Sequence, residues 1–514
     1  MRKIHSLTIV LLIIASFICG CSQQPQTPQQ QGPITGINDG AVKVIYEDVG
    51  PSQGGVLKLF MVTPRTLNPL TTQDTYVRQL SSFVFDSLFY EDESGSIKNG
   101  LTERFKFSQD GLILDIELRD NILFHDGKSL SSDDVAFTLE TIKNVGKKSL
   151  YYDHVSNIQS IKALTRLSLR LILNKADPKI IEKLTFPIVP EHIFKDWPIE
   201  GHKTSMKLIG TGPFKYESYS ENEISLLRND SWWFLEAEDG LSHPIWLDGI
   251  TFKIYPDESQ MMQAFQRQQI DIAWLEEGDL DSYSKRSDIF FSKYVSNILE
   301  FLVLSPVGTS SSPIRQEEFR TVLIEYLKEY EKENPINRGE SAIEHQDGHS
   351  EEKINKNAII NKLINLGFLY NYDKGYLYTY KNNEKVPIQL LLIYNGLNAD
   401  REYTSEWLIG ALAGIGIKVD AQTADIEKQQ NLVKSGEFDM MLLGCRIPLY
   451  ATMDEVLEDT KKSLNISSAD SVILPLYRKY GAVLYNNYIR GERNPNWKNI
   501  YNGWQNWYLV YTNP

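Results

Sequence analysis

Residues 118–140, LRDNILFHDGKSLSSDDVAFTLE, set the end of a strand, a tight turn and a helix start in one fixed order. Leu112, Leu114, Ile116 and Leu118 alternate with Ile113, Asp115, Glu117 and Arg119, the period of a strand buried on one face, and Asp126-Gly127 supplies turn chemistry at its end. Ser131 stands three residues before Asp134, which predicts an N-cap with acidic residues in the first turn, where the helix dipole favours them. A histidine beside a carboxylate invites a catalytic reading of His125 and Asp126, since such a pair can shuttle protons. Turn chemistry accounts for His125, Asp126 and Gly127 without it, so a structural role is expected. Gly127-Lys128-Ser129 imitates the tail of a phosphate-binding loop, but that motif needs a glycine where Ile122 stands, so ATP binding is not expected.

At the start of the chain Arg2 and Lys3 precede an apolar run from Leu7 to Ile18, closed by Ile18-Cys19-Gly20-Cys21. A charged start, a short apolar core and small residues make a secretion signal over residues 1–20, too short for a good membrane span. The last four residues resemble a lipobox, which implies cleavage before Cys21, lipidation of its thiol and an extracytoplasmic, membrane-anchored protein. Residues 21–53 are rich in Gln and Pro and read as a flexible tether. Removal of the signal moves the formal charge from −14 to −16, and so acidic a balance argues against nucleic acid as a partner. Cys445 is then the one thiol left to the folded part, so no disulfide staples are expected. A chain of 42% hydrophobic composition and this length can build two or three cores without them.

Val56–Val62 reads as a first strand, with Val77, Leu80, Val84 and Leu88 on one face of a following helix. Leu167, Leu169, Leu171 and Leu173 form another alternating run, so a small sheet subdomain is expected over 81–206. Phe319, Val322, Leu323, Tyr326, Leu327 and Tyr330 fall at helical spacing, and the charged stretch from Glu331 to Lys356 reads as a solvated loop. Ile388–Tyr394, Ile417–Val419 and Phe438–Leu443 read as strands, separated by helices over Glu402–Ala413 and Ile426–Val433. That βαβαβ unit predicts a parallel sheet, whose ligands sit beyond the carboxyl ends of the strands. Asn395, Gly396 and Arg401 are thereby placed on one loop, and Cys445, Arg446 and Tyr450 on another, as cleft candidates. His345 and His349, four apart, could hold a metal on a helix, but Gly348 and the surrounding charge favour a loop; no metal site and no cofactor is expected.

The 118–140 run resembles the recognition segment of family 5 extracellular solute-binding proteins, with Leu118, Arg119, Phe124, His125, Asp126, Gly127, Leu130, Asp134, Val135 and Phe137 in register. TLNPL from Thr66, PIVPEHI from Pro187, GTGPF from Gly210 and LDGITFKIYPDESQMMQAFQRQQIDIAW from Leu247 to Trp274 follow in the family's order. The resemblance implies an α/β, periplasmic-binding-protein-like type II fold with two lobes joined by a hinge. Lobe I would comprise 54–80, 207–295 and 485–514, carrying the 81–206 subdomain, and lobe II 296–484, shortened after Tyr450. The implied protein is a monomeric receptor of an ABC importer that takes a peptide or similar small solute to a membrane permease. Tyr76 and Trp274 would then face the cleft as aromatic walls. Arg446, at a strand end, is suited to hold a carboxylate by a two-pronged charged hydrogen bond, or else to pair with Asp439 or Glu437. Peptide-binding members carry a Trp and an Asp after this strand, the Asp pairing with the peptide amino group. Here the segment reads GCRIPLY, so that amine anchor is missing.

A nickel or metal-chelate receptor, or a sensor that feeds no permease, shares the fold. An extracytoplasmic hydrolase finds no support in a GxSxG elbow, an HExxH helix or paired cysteines, and no enzyme activity is expected.

Overall fold

The computed structural model describes residues 34–38, 41–45, 50–92, 94–197, 207–235, 244–276, 280–343, 354–448, 451–464 and 472–510. The expected signal segment, Cys21, the His345 and His349 pair, and Tyr450 lie outside them. Within the expected tether, Ile34–Asn38 pairs antiparallel with Ala41–Ile45. Asp39-Gly40 between two runs rich in Ile and Val is a hairpin signal that a reading by composition passes over. The chain from Asp48 to Val510 forms a separate compact unit, described by itself below.

That unit begins with a four-stranded sheet in the order Phe214–Tyr219, Glu223–Arg228, Gly249–Tyr255, Val56–Val62, the last two parallel. Helix Thr75–Val84 packs on it and ends before Leu88, with Phe85 already extended. A second sheet of four antiparallel strands holds Ile113–Leu118 and Ser168–Leu173 side by side, flanked by Thr102–Phe107 and Ile158–Thr165. Leu114, Ile116 and Leu118 are buried with Leu169, Leu171 and Leu173, as the alternation requires. Helix Ser132–Val145 starts with a full capping box between Ser131 and Asp134. Both sheets share one hydrophobic core, which is lobe I with its small subdomain.

The motif residues of the sequence tie these two sheets together. His125 donates its backbone N–H to Gly210, and its Nδ1 accepts from the Gly210 N–H at 3.3 Å, which leaves Nε2 to donate to the Gly212 carbonyl at 2.9 Å. Gly210 and Gly212 need the absence of a side chain: a Cβ on Gly210 would lie 2.0 Å from the Val84 carbonyl oxygen, and one on Gly212 2.6 Å from the Val84 carbonyl carbon. Asp86, half-buried, accepts from Thr211 Oγ1, Trp232 Nε1 and Trp233 Nε1. The HDG and GTGPF motifs are thus two halves of one clamp, and the structural reading of His125 stands.

A third sheet of seven strands runs in the order Ile272–Leu275, Ile473–Asn486, Ile289–Leu304, Met440–Arg446, Gln389–Tyr394, Lys418–Thr423, with Gly339–Ser341 added on Ile473–Asn486. Gln389–Tyr394 is parallel to both its neighbours, so the predicted βαβαβ unit is present, with helices Ala399–Ala413 and Ile426–Ser435 as crossovers. Helix Glu317–Glu333 covers this region, and two further hydrophobic cores fill it. These cores make lobe II. The two long strands Ile289–Leu304 and Ile473–Asn486 belong to both lobes: Ile289, Tyr294 and Val483–Tyr485 enter the first core, whereas Leu302, Leu304, Leu474 and Leu476 enter the second.

Burial holds His125 down to about 4 from an ordinary 6.5, and His154 likewise. The folded state therefore refuses protons that the unfolded chain accepts, and stability present above pH 6.5 is lost as pH falls towards about 4. His125→Gln should remove roughly 2 to 3 kcal/mol of that acid sensitivity, read from urea midpoints across this pH window; an unchanged pH slope would contradict the clamp. Separately, Gly210→Ala should cost roughly 2 kcal/mol or more by overpacking. Gly127→Ala, at φ +85° with open space around it, should cost only the left-handed strain of about 1 kcal/mol.

Candidate functional site

Lobe I presents the carboxyl ends of its parallel strands Val56–Val62 and Gly249–Tyr255, the edge where open sheets of this kind receive ligands. Val62, Asp74, Tyr76, Pro256 and Glu258 line an open depression there. Asp74 caps helix Thr75–Val84 by accepting from the Tyr76 N–H, which fixes the ring of Tyr76 at the helix start. The Tyr76 hydroxyl donates to Glu258 Oε1 at 2.7 Å, and burial with that bond raises its pKa far above the ordinary value. Its ring packs 5.4 Å from Trp274 and 5.6 Å from Phe60. These rings form a rigid aromatic wall whose hydroxyl is already engaged.

The two hinge strands lose register between Val295 and Leu299, so Ser296, Asn297 and Ile298 bulge out of the ladder. The bulge needs replacement partners. Arg478 donates to the Ser296 carbonyl at 3.0 and 3.2 Å, and Asn297 exchanges bonds with the Ile447 backbone through its own backbone carbonyl and its Nδ2. Asn297 Oδ1 also accepts from Arg446 at 3.3 Å. Arg446 Nη2 reaches Glu276 Oε2 at 2.6 Å, two residues beyond Trp274. Arg446 lies at the end of a lobe II strand and Glu276 just past a lobe I strand, so this ion pair crosses between the lobes beside the aromatic wall. Tyr294 packs nearby against Gly481, where a Cβ would come within 2.5 Å of its ring.

A second arginine behaves differently. Arg401 Nε binds Glu300 Oε2 at 2.8 Å, and Lys479 lies 3.0 Å from Asp400 and 3.7 Å from Glu300. The Glu300 and Lys479 side chains are 3% and 2% exposed, whereas that of Arg446 is 61% exposed. Burial raises the Glu300 pKa and the facing Arg401 and Lys479 oppose that rise. Gly444 makes room for this group, since a Cβ there would sit 2.7 Å from Glu300 Oε1.

The structure brings Tyr76 and Trp274 into ring contact and sets Arg446 on Glu276, two residues beyond Trp274. Trp274 lies within strand Ile272–Leu275, paired with Val483. Cys445 and Arg446 are not on a loop: the antiparallel partner Ile289–Leu304 extends the ladder to Arg446 itself. Cys445 is half-buried, burial raises its thiol, and Thr460 is its hydrogen-bond partner. Arg401 belongs to the first turn of helix Ala399–Ala413, because Asn398 caps the N–H groups of Asp400 and Arg401. Asn395 and Gly396 do form the preceding loop, where Asn395 accepts from the Leu397 N–H and Gly396 sits against Thr423. Arg446 pairs with neither Asp439, which accepts from Thr309 and Leu391, nor Glu437, but with Glu276. Glu276, Tyr294 and Asn297 were not singled out from sequence. Among the described residues no group of three or more His, Cys, Asp or Glu is placed to hold a metal.

The contrast between the arginines is measurable. Arg401→Leu should destabilise by roughly 3 to 5 kcal/mol, because it strands Glu300 in the interior. Arg446→Ala should cost under about 1 kcal/mol, as an exposed pair does. Equal losses in urea unfolding would contradict the assignment.

Residues 96–320 match the family model described as "Bacterial extracellular solute-binding proteins, family 5 Middle". The oligopeptide-binding protein AppA of Bacillus subtilis is 26% identical over 294 residues, 54% of this chain and 46% of that protein. The nickel-binding periplasmic protein of Escherichia coli is 23% identical over 251 residues, 47% of this chain and 46% of that protein. The chain therefore spans about half the length of the curated relatives it matches. Among solved structures, the ABC transporter substrate-binding protein CtaP of Listeria monocytogenes superposes with a TM-score of 0.63 at 19% identity, covering 90% of this chain and 100% of that one. NikZ of Campylobacter jejuni, in complex with Ni(L-His), gives 0.56 at 20% identity, covering 89% and 99%. Over residues 96–320 the chain is thus similar to the bacterial extracellular solute-binding proteins of family 5, and its fold is that of the solved structures.

Proposed function

We propose that this protein captures a peptide or similar small solute between its lobes and delivers it, chemically unchanged, to the permease of an ABC importer. Cys21 would carry the lipid that holds it at the outer face of the membrane, and the tether would let the receptor reach its permease. The observation that carries this reading is the Arg446–Glu276 pair, which spans the lobes beside the Tyr76 and Trp274 wall. A guanidinium 61% exposed at such a place has a replaceable partner. A ligand carboxylate can take the place of Glu276 on Arg446, gaining a charged, two-pronged bond while its apolar part lies on the aromatic rings. Leu397, 97% exposed on the Asn395 loop, offers a further apolar contact from lobe II.

Closure then follows as a population shift: contacts that exist only when both lobes touch the solute favour the closed form. The relatives' names, oligopeptide-binding and nickel-binding, support a small solute as cargo and leave a peptide and a metal chelate as the two carboxylate-bearing classes to compare.

Calorimetry with short peptides and with nickel–histidine tests the proposal. Arg446→Ala should weaken a carboxylate-bearing ligand at least tenfold, since a charged hydrogen bond contributes roughly 1.5 to 3 kcal/mol. C-terminal amidation of a bound peptide should reproduce that loss. Unchanged affinity removes Arg446 from the site, and cleaved peptide in the recovered ligand would overturn the non-enzymatic reading.

A further inference from the structure

Lobe I holds a second cavity, of about 260 Å³, away from the Arg446 side of the molecule. Helix Thr75–Val84 stands between the two places. Tyr76 packs on Trp274, whereas Arg78 and Ser82, four residues apart and on the other side of the helix, line the cavity. Its volume is close to the low end of the roughly 300 to 1,000 Å³ usual for small-ligand sites.

Three properties of the lining restrict what it can hold. The walls are aromatic and fixed: Trp232 and Trp233 are both held by their Nε1 donors to Asp86, Phe234 packs 5.2 and 5.3 Å from them, and Trp504 lies 6.5 Å from Trp232. The charges cancel, because Lys498 pairs with Glu91 at 2.7 Å, and the remaining lining charges are Arg78, which donates to the Lys498 carbonyl, and Asp86 with its three donors. A neutral guest is therefore favoured over an ion. Finally, the uncharged polar groups are the hydroxyls of Ser82, Ser87, Tyr90, Tyr151 and Thr185 and a set of amides. Gln79 is 4% exposed, yet among the described residues its Oε1 has no hydrogen-bond partner. Asn496 and Asn499 spend their Oδ1 atoms on local backbone N–H groups, and no described bond takes their NH₂ ends.

An orphaned buried acceptor costs stability, and such costs are retained where a ligand completes the bond. The guest must donate to Gln79, accept from asparagine NH₂ groups and lay apolar faces on indole rings. Hydroxyl groups do both polar tasks, and the C–H faces of a sugar ring supply the rest. We propose that this cavity is a second ligand site, built for a neutral, hydroxyl-rich ring of monosaccharide size and independent of the solute held between the lobes.

The test uses the full chain with glucose, galactose and N-acetylglucosamine, followed by saturation-transfer NMR and tryptophan fluorescence, with indole and phenol as competitors. At least one sugar should bind saturably, and with the same affinity in Arg446→Ala, which separates this site from the interlobe one. Gln79→Met should weaken that binding about fivefold or more while leaving the unfolding midpoint equal or higher, because it deletes an unsatisfied acceptor. Ser82→Leu, at an exposed lining position, should block the cavity without unfolding the protein. No binding by any of the three sugars would overturn the proposal. So would preferential binding of indole or phenol, or a Gln79→Met variant that loses stability and keeps its affinity.

Discussion

Two antiparallel strands that each belong to two hydrophobic cores govern this molecule. Ile289–Leu304 and Ile473–Asn486 are anchored in lobe I at one end and in lobe II at the other, so neither lobe can move without bending them. A continuous ladder would resist that bending. The ladder is interrupted at Ser296–Ile298, and the carbonyl left over is taken by Arg478 from the opposite strand. Bending is thus eased at a few residues where a side chain, Arg478, stands in for the ladder bond between the two strands.

Around that interruption, charge is divided by burial. Glu300 and Lys479 sit one on each hinge strand, enclosed with Arg401 and Asp400 of the first turn of a lobe II helix, and fix that helix to the hinge. Removing one member leaves another uncompensated in a medium of low polarity. Arg446 is held from the other side, by Asn297 of the bulge and Glu276 of lobe I. Its water-facing position makes the pair exchangeable. The same residue type thereby serves as a rivet in one place and as a contact in the other.

Much of the fold was legible in the sequence because its signals are local. The alternation of Leu114, Ile116 and Leu118, the Ser131 cap and the glycine stops after Ala413 each determine structure within a few residues. The cleft was legible only in part. Arg446 was singled out because strand ends in parallel sheets are privileged positions and Trp274 because of the resemblance, but their strands run longer than the apolar pattern alone implies, since antiparallel partners extend them. Glu276, Asn297 and the role of Arg401 depend on contacts 101 to 170 residues apart, which no periodicity records. The Gln79 cavity joins a helix face, an indole pair and a C-terminal turn in the same way.

The central claim is that this interrupted pair of strands is a working hinge. Small-angle X-ray scattering of the protein with and without a solute shown by calorimetry to bind tests it most directly. The radius of gyration should fall on saturation as the lobes close. A radius that stays constant while the solute is demonstrably bound would contradict the account.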